Sequence, residues 1–413
     1  MKNLLIATSF VLAGALAAQA GDLERSRGIK VGQKLTLNPY VSLSYTYDSN
    51  PDSYRKADAG SNWEVQPGLN FIYADDNWSL VGGAWYSYHA YNKYPDQQNS
   101  SSYGERLNFK WADSLPNEQG WSLLISESFQ QVAEDDDMTY SGGRGLGRDR
   151  KQLTFDGTLE RRITERFHAA PTVGYYLLDY ENDTRKYGNL YGWKRLTVGG
   201  EAGYMLSRWT DFIVNANYMW YDQDNSGYIY GNRVKSDSSG YSLMAGVSTR
   251  ATERISYRIL AGWSRFDYGD AQEINGWTYE LSAKWDISQT WSMMALGSSY
   301  YQPSESEAGS AVKVYNLSWG LAKSLVRNSL RATLDVAYRK ERRVYSYFND
   351  AMGNYDEDIL SGRFGLVYTL NRYMDVYGRL EYQMYDTSRG GYAGDSTYDF
   401  NRFRGTIGLR LTY

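Results

Sequence analysis

Charged residues alternate with apolar residues near the C-terminus of the chain. Within residues 402–413, Arg404 and Arg410 occupy even positions, and Ile407 and Leu409 occupy odd positions. Successive side chains of a β-strand point to opposite faces, so one face of this segment could contact lipid and the other water. Charged side chains around a water-filled lumen could select solutes, as rings of charge do in channels.

The same alternation predicts inward charges of both signs in other segments. A charge that faces lipid costs roughly 2–4 kcal/mol at the membrane midplane, whereas one that faces a wet lumen costs little. These residues either select solutes or form cross-strand salt bridges that stiffen the wall, and the sequence leaves both interpretations open. The predicted pore-lining residues are Arg106, Lys110, Asp156, Glu160, Arg162, Arg331, Asp335, Arg339, Arg363, Arg379, Glu381, Arg404 and Arg410.

A long polar loop, residues 132–151, carries separated acidic and basic runs. Long loops are often functional, and its glycines would permit the backbone turns that an inward excursion needs. We expect either a constriction loop that folds into the lumen or a solvated surface loop; no ligand spacing supports a cation site. The predicted constriction residues are Asp135, Asp136, Asp137, Arg144, Arg148 and Arg150.

Catalysis is the weaker interpretation of the polar residues. The chain contains two histidines, His89 and His168, and hydrolytic sites usually need a histidine near a carboxylate or a serine. His89 is predicted to be a hydrogen-bonded wall residue, and His168, beside a tight turn, to be structural. We therefore predict no enzyme and no cofactor.

The segments that position these residues repeat one unit: strand, polar loop, strand, tight turn. About nine longer loops and eight tight turns give about 18 strands, an even number that places both termini on the tight-turn side. Short periplasmic turns and longer outer loops are typical of bacterial outer-membrane barrels. The abundance of Tyr and Trp, 40 and 13 residues, suits aromatic girdles at both membrane interfaces. We predict an all-β fold: a transmembrane, antiparallel, up-and-down β-barrel.

The N-terminus has the pattern of a secretory signal. A weakly basic start precedes an apolar stretch and a small-residue cleavage site between Ala20 and Gly21. The predicted organisation is a signal peptide at 1–20, a short periplasmic segment at 21–34 and the barrel at 35–413. The mean hydropathy of −0.61 argues against helical membrane spans. The net charge of −4 gives no basic excess for nucleic acid.

Several short motifs near the start of the predicted barrel resemble the putative β-barrel porin 2 family. The resemblance implies an outer-membrane barrel without catalytic residues, and some relatives are encoded among exopolysaccharide export genes. The motifs that carry it are Asn38-Pro39-Tyr40-Val41, Tyr47-Asp48-Ser49-Asn50-Pro51 and Pro67-Gly68-Leu69.

These observations favour a porin-like channel for hydrophilic solutes in the bacterial outer membrane. The alternatives are an exopolysaccharide export conduit, a non-conducting surface or adhesion barrel and, as the weakest, a barrel hydrolase. The expected partners are outer-membrane lipid and lipopolysaccharide, the barrel-assembly machinery through the C-terminal strand, and a polysaccharide or small hydrophilic solute.

Overall fold

The structure is a computed structural model. It describes most of the predicted barrel, and the predicted signal peptide lies outside the described residues. The described residues are 28–50, 59–92, 100–113, 120–132, 150–180, 192–223, 237–267, 273–303, 310–326, 329–346, 356–387 and 399–413.

The described residues form nineteen strands in a single sheet. All of them except the first, which has three residues, are long enough to cross a bilayer at a tilt. Their bounds are β1 Ile29–Val31, β2 Leu35–Asp48, β3 Gly60–Ala74, β4 Trp78–Asn92, β5 Ser100–Ala112, β6 Trp121–Val132, β7 Arg150–Arg162, β8 Phe167–Tyr180, β9 Trp193–Ser207, β10 Thr210–Gln223, β11 Asp237–Thr249, β12 Ile255–Asp267, β13 Glu273–Ser288, β14 Trp291–Pro303, β15 Ser310–Val326, β16 Leu330–Ser346, β17 Asp356–Asn371, β18 Met374–Thr387 and β19 Phe400–Thr412.

The sheet closes on itself. Each strand from β2 to β19 is antiparallel to the next, and β19 pairs with β2 from Arg404 opposite Asp48 to Thr412 opposite Tyr40. Closure gives each of the 18 long strands a neighbour on both sides. The predicted antiparallel barrel of about 18 strands is therefore confirmed. Within the described ranges, no helix is long and apolar enough to span a membrane.

The short strand β1 differs from the polar segment expected at 21–34. β19 ends beside Tyr40, so the first residues of β2 have no partner on that side. β1 takes the vacant place, with Ile29 opposite Leu37 and Val31 opposite Leu35. The turn between them includes Gly32, whose φ of 69° is a left-handed value that glycine adopts without strain. The apolar residues Ile29 and Val31, close in sequence to the unpaired start of β2, were the signal for this strand that the sequence analysis overlooked.

The outer surface of the wall is largely apolar and exposed. Leu317, Ile407 and Trp277 are 52, 62 and 70% exposed. A soluble protein would cover such residues, whereas a membrane barrel presents them to lipid. Aromatic residues lie at both ends of this surface, including Trp209 near the tight turns and Trp220 near the long connections.

We call the two rims the turn end and the loop end. At the turn end, short connections are closed by side chains that accept main-chain hydrogen bonds, for example Phe167 N–H to Thr164 Oγ1 at 3.0 Å and Tyr373 N–H to Asn371 Oδ1 at 2.9 Å. At the loop end, the longer connections lie mostly outside the described residues. The alternation that builds the wall thus directs one residue in two toward the lumen.

Candidate channel lumen

All thirteen predicted pore-lining residues lie on the inner face of the wall. Register establishes this: Glu381 pairs with Arg404, while Leu380 and Phe403, the residues next to them in sequence, are exposed on the outside. The same argument holds strand by strand for the others. Their placement agrees with the alternation in the sequence; their role as a pore lining stays a prediction.

Inner residues near the middle and the turn end of the barrel reach water. The side chains of Asp335, Arg379 and Lys110 are exposed, and those of Arg331 and Arg410 are half-buried. All five point into the lumen, so the water that they contact occupies the lumen. This part of the interior is therefore wet and carries charges of both signs.

At the loop end, ion pairs fasten the seam where the barrel closes. Arg402 on β19 donates through Nη2 and Nε to Asp48 Oδ2 on β2, at 2.5 and 2.8 Å. Arg404 Nε reaches the same oxygen at 3.1 Å. All three side chains are at most 10% exposed, so each charge depends on the others for compensation.

A neighbouring ion pair extends the network along the inner wall. Arg363 Nε on β17 donates to Glu381 Oε1 on β18 at 2.5 Å. Here the salt-bridge interpretation of the inward charges holds, whereas Asp335 and Arg379 reach lumen water. The sequence left both interpretations open, and the structure divides them by position along the barrel.

A second buried network joins strands that are not neighbours. Arg258 on β12 donates to Glu201 on β9 at 2.6 Å and to Glu280 on β13 at 2.9 Å. Sequence reasoning did not single out these residues. The alternation could have identified Glu201 as an inward residue, since it lies between the outward residues Gly200 and Ala202 of β9. The bond between β9 and β12 spans the lumen side of β10 and β11.

Aromatic residues fill the inner face of β8 to β14 at the loop end. The rings form a continuous row: Tyr176 and Trp193 have centroids 4.6 Å apart, Trp193 and Tyr221 5.8 Å, and Tyr221 and Phe266 5.4 Å. Leu178, Tyr301 and Ala311 complete this buried group. A cluster of this kind resembles a protein core more than the lining of a water-filled lumen.

At the loop end β14 separates from β13, while β15 stays paired with β16 as far as Ser310 opposite Ser346. β13 and β14 pair regularly from Trp285 opposite Met293 to Glu280 opposite Ser298, and no pairing continues beyond that point among the described residues. Residues 299–303 of β14 remain paired with 311–315 of β15. We call residues 299–303 and 311–314 the inner tip. The alternation of buried and exposed side chains that marks the wall is lost there, because the inner tip is buried on both faces, with Tyr300 half-buried.

The two histidines are packed in the inner wall. His89 is buried and its Nε2 lies 2.6 Å from Ser87 Oγ. His168 is buried over Gly203, where an added Cβ would lie 2.1 Å from the imidazole ring. In the described part of the chain, no cluster of His, Cys, Asp or Glu could hold a metal ion.

The predicted constriction loop cannot be placed. Asp135, Asp136, Asp137, Arg144 and Arg148 lie outside the described residues, as do Ala20 and Gly21 of the predicted cleavage site. Arg150 opens β7 and faces inward. The inward fold of the loop stays a prediction.

Similarity to known proteins falls in two groups. Residues 217–413 match the model of the family described as "Putative beta-barrel porin 2". This match covers the wall from β10 to β19, whereas the motifs that carried the resemblance in the sequence lie before it. No curated protein matches the chain.

Three solved structures are similar at low identity. A mutant of the ferric enterobactin receptor PfeA from Pseudomonas aeruginosa is 9% identical, with 93% of this chain and 81% of that chain covered and a TM-score of 0.43. The FrpB iron transporter from Neisseria meningitidis is 9% identical, with 91 and 81% covered and a TM-score of 0.42. The outer membrane protein opdK from Pseudomonas aeruginosa is 14% identical, with 91 and 99% covered and a TM-score of 0.42.

The resemblance to the putative beta-barrel porin 2 family is confirmed over residues 217–413, and the described residues form a closed antiparallel β-barrel with a largely apolar outer surface.

Proposed function

We propose that this protein is an integral protein of the bacterial outer membrane and forms a channel for hydrophilic solutes. One observation carries the proposal: a closed wall of 18 strands has apolar residues outside and water-exposed charges inside. Barrels of this size in bacterial outer membranes can leave an aqueous channel. The inward charges would then act on solutes as a selective lining.

The location rests on the outer surface and on the predicted leader. Cleavage between Ala20 and Gly21 would release the mature chain to the periplasm, and the C-terminal strand would deliver it to the barrel-assembly machinery. We expect the mature protein in the outer-membrane fraction, and its unboiled form should migrate differently from the boiled form on gels. Recovery as a soluble periplasmic protein without that shift would remove the basis of the proposal.

Single-channel conductance in planar bilayers tests the channel itself. Replacing Arg331 and Arg410 by Gln removes two inward cations from the wet part of the lumen, so ion selectivity should shift toward cations. The matched control is Leu411→Ala, which changes a residue that faces lipid and should leave selectivity unchanged. Equal selectivity of all three proteins would show that these arginines do not line the path of ions.

A non-conducting surface barrel is the second candidate. The buried aromatic row at the loop end favours it, because packed rings exclude water from part of the interior. Absence of conductance from a correctly folded protein would support this candidate over the channel. The exopolysaccharide conduit has support from the family resemblance alone, and no contact among the described residues favours it.

A further inference from the structure

The inner tip is held inside the barrel by specific contacts. Tyr221 on β10 faces the lumen, and its hydroxyl donates to the carbonyl oxygen of Tyr301 at 3.1 Å. The strands β11, β12 and β13 lie between β10 and β14 along the wall. A direct bond from β10 to β14 therefore requires the end of β14 to cross the inner face of those strands.

Side chains replace the missing backbone ladder between β13 and β14. Lys313 Nζ donates to the carbonyl oxygen of Trp277 at 2.7 Å, and the N–H of Tyr279 donates to Ser299 Oγ at 3.2 Å. Thr278 Oγ1 donates to the carbonyl oxygen of Ser299. These bonds satisfy polar groups of β13 that a continuous wall would pair with β14.

Residue types allow this close approach. Gly276 on β13 has no side chain, and an added Cβ would lie 2.7 Å from the hydroxyl oxygen of Tyr301 and 3.2 Å from Lys313 Nζ. Tyr301 packs near Phe266, with ring centroids 6.4 Å apart. Val312 and Val314 occupy the opposite face of the tip and are fully buried. The tip is thus a small packed core within the lumen.

We propose that the inner tip is the constriction of this barrel and sets the size of the solutes that pass. It fills the part of the lumen beside β8 to β13, so solutes would pass through the part beside the remaining strands. This inference rests on the proposed channel function, and it assigns the narrowing to the wall's own hairpin rather than to the loop 132–151.

The decisive variant shortens the hairpin. Replacing residues 301–313 by Asn-Gly closes the hairpin at the pair Tyr300–Val314 with a two-residue turn that suits antiparallel strands. We expect a severalfold rise in single-channel conductance and entry of larger polyethylene glycols into proteoliposomes. The matched control shortens the β4–β5 connection within residues 93–99 and should change neither quantity.

The outcomes separate the two proposals. A higher conductance and a larger size limit in the shortened variant than in a conducting wild type would support the constriction. Equal conductance and equal size limits in wild type and variant would overturn the constriction while the channel stands. Absence of conductance from both folded proteins would overturn the channel and, with it, the constriction.

A full-length variant covers the case in which the shortened protein does not fold. Tyr301→Ala combined with Lys313→Ala removes the ring and the ammonium group that anchor the tip, and it leaves every strand in place. The conductance of this variant should exceed that of Leu317→Ala, which changes the lipid-facing side of β15. Equal conductance of these two folded variants would overturn the proposal.

Discussion

The two ends of the lumen are built from the same strands but packed differently. On β18, Arg379 is exposed in the lumen, whereas Glu381, Gln383 and Tyr385, which follow on the same face toward the loop end, are buried. The turn end resembles the lining of an aqueous channel, and the loop end resembles a protein core. Inward orientation alone therefore does not make a residue part of a wet pore.

The difference shows that residues of the wall themselves can fill part of a barrel interior. At the loop end, three features fill the interior: the ion pairs at the closing seam, the aromatic row on β8 to β14, and the inner tip. At the turn end, the inward residues keep contact with water. The variants below test whether substitutions at the loop end cost more unfolding free energy than substitutions at the turn end.

The largest effect is expected for Phe266→Ala at the loop end. Phe266 is 1% exposed within the aromatic row, and truncation of a buried Phe costs about 3–5 kcal/mol of unfolding free energy. Its control at the turn end is Ile72→Ala, which faces inward but is half-buried, and the loss should be clearly smaller. Urea titration of the protein folded in lipid vesicles measures both. Equal losses would mean that the two ends are packed alike.

The next effect is expected for Asp48→Asn. This change leaves Arg402 and Arg404 buried without their carboxylate, which costs about 3 kcal/mol for a buried ion pair that loses one partner. Asp375→Asn provides the matched control, since Asp375 on β18 faces inward opposite Arg410 of β19 at the turn end and is half-buried. The same titration should show little change for the control. A tolerated Asp48→Asn would indicate that water reaches the arginines at the loop end.

A smaller effect is expected for Leu409→Arg. Leu409 lies on the lipid-facing side of β19 near the turn end, where an arginine costs about 1–2 kcal/mol, less than at the midplane. Arg410→Leu, one residue away on the wet inner face, should cost less and give a higher assembly yield. The opposite order of yields would show that the two faces of β19 are wrongly assigned.

The smallest effect is expected for Asp75→Asn in the tight turn between β3 and β4. The hydrogen bond from Lys34 Nζ, at 2.6 Å, and the bond from the N–H of Asp76 lower the pKa of Asp75. Any stability from the lowered pKa is present above the unfolded pKa of about 4 and is lost as the pH falls through the folded value.

Both side chains of this pair are in water, so the contribution should be unmeasurable even at pH 7. Unfolding curves of wild type and Asp75→Asn should coincide at pH 7 and at pH 3. A difference at pH 7 that disappears at pH 3 would show that this exposed pair stabilises the turn end after all.

Alternation in the sequence predicted the faces of the wall. It placed Arg363, Glu381 and Arg404 on the inner side, and the structure agrees, because a period of two fixes which face a residue occupies. The same period could not say which of these residues pair, since partners such as Asp48 and Arg402 are separated by almost the whole chain.

The amino-acid sequence was enough to predict the barrel, its approximate number of strands, the apolar exterior and the inward position of the charges. These depend on the local period of each strand and on the lengths of its connections. The filling of the lumen, in contrast, depends on contacts between strands that are distant in the sequence. The inner tip departs from the wall after Ser298. Gly276 provides the space for it, and Tyr221 and Trp277 provide hydrogen-bonding groups that hold it. These three residues lie on two other strands, so the alternation within β14 and β15 could not predict the contact.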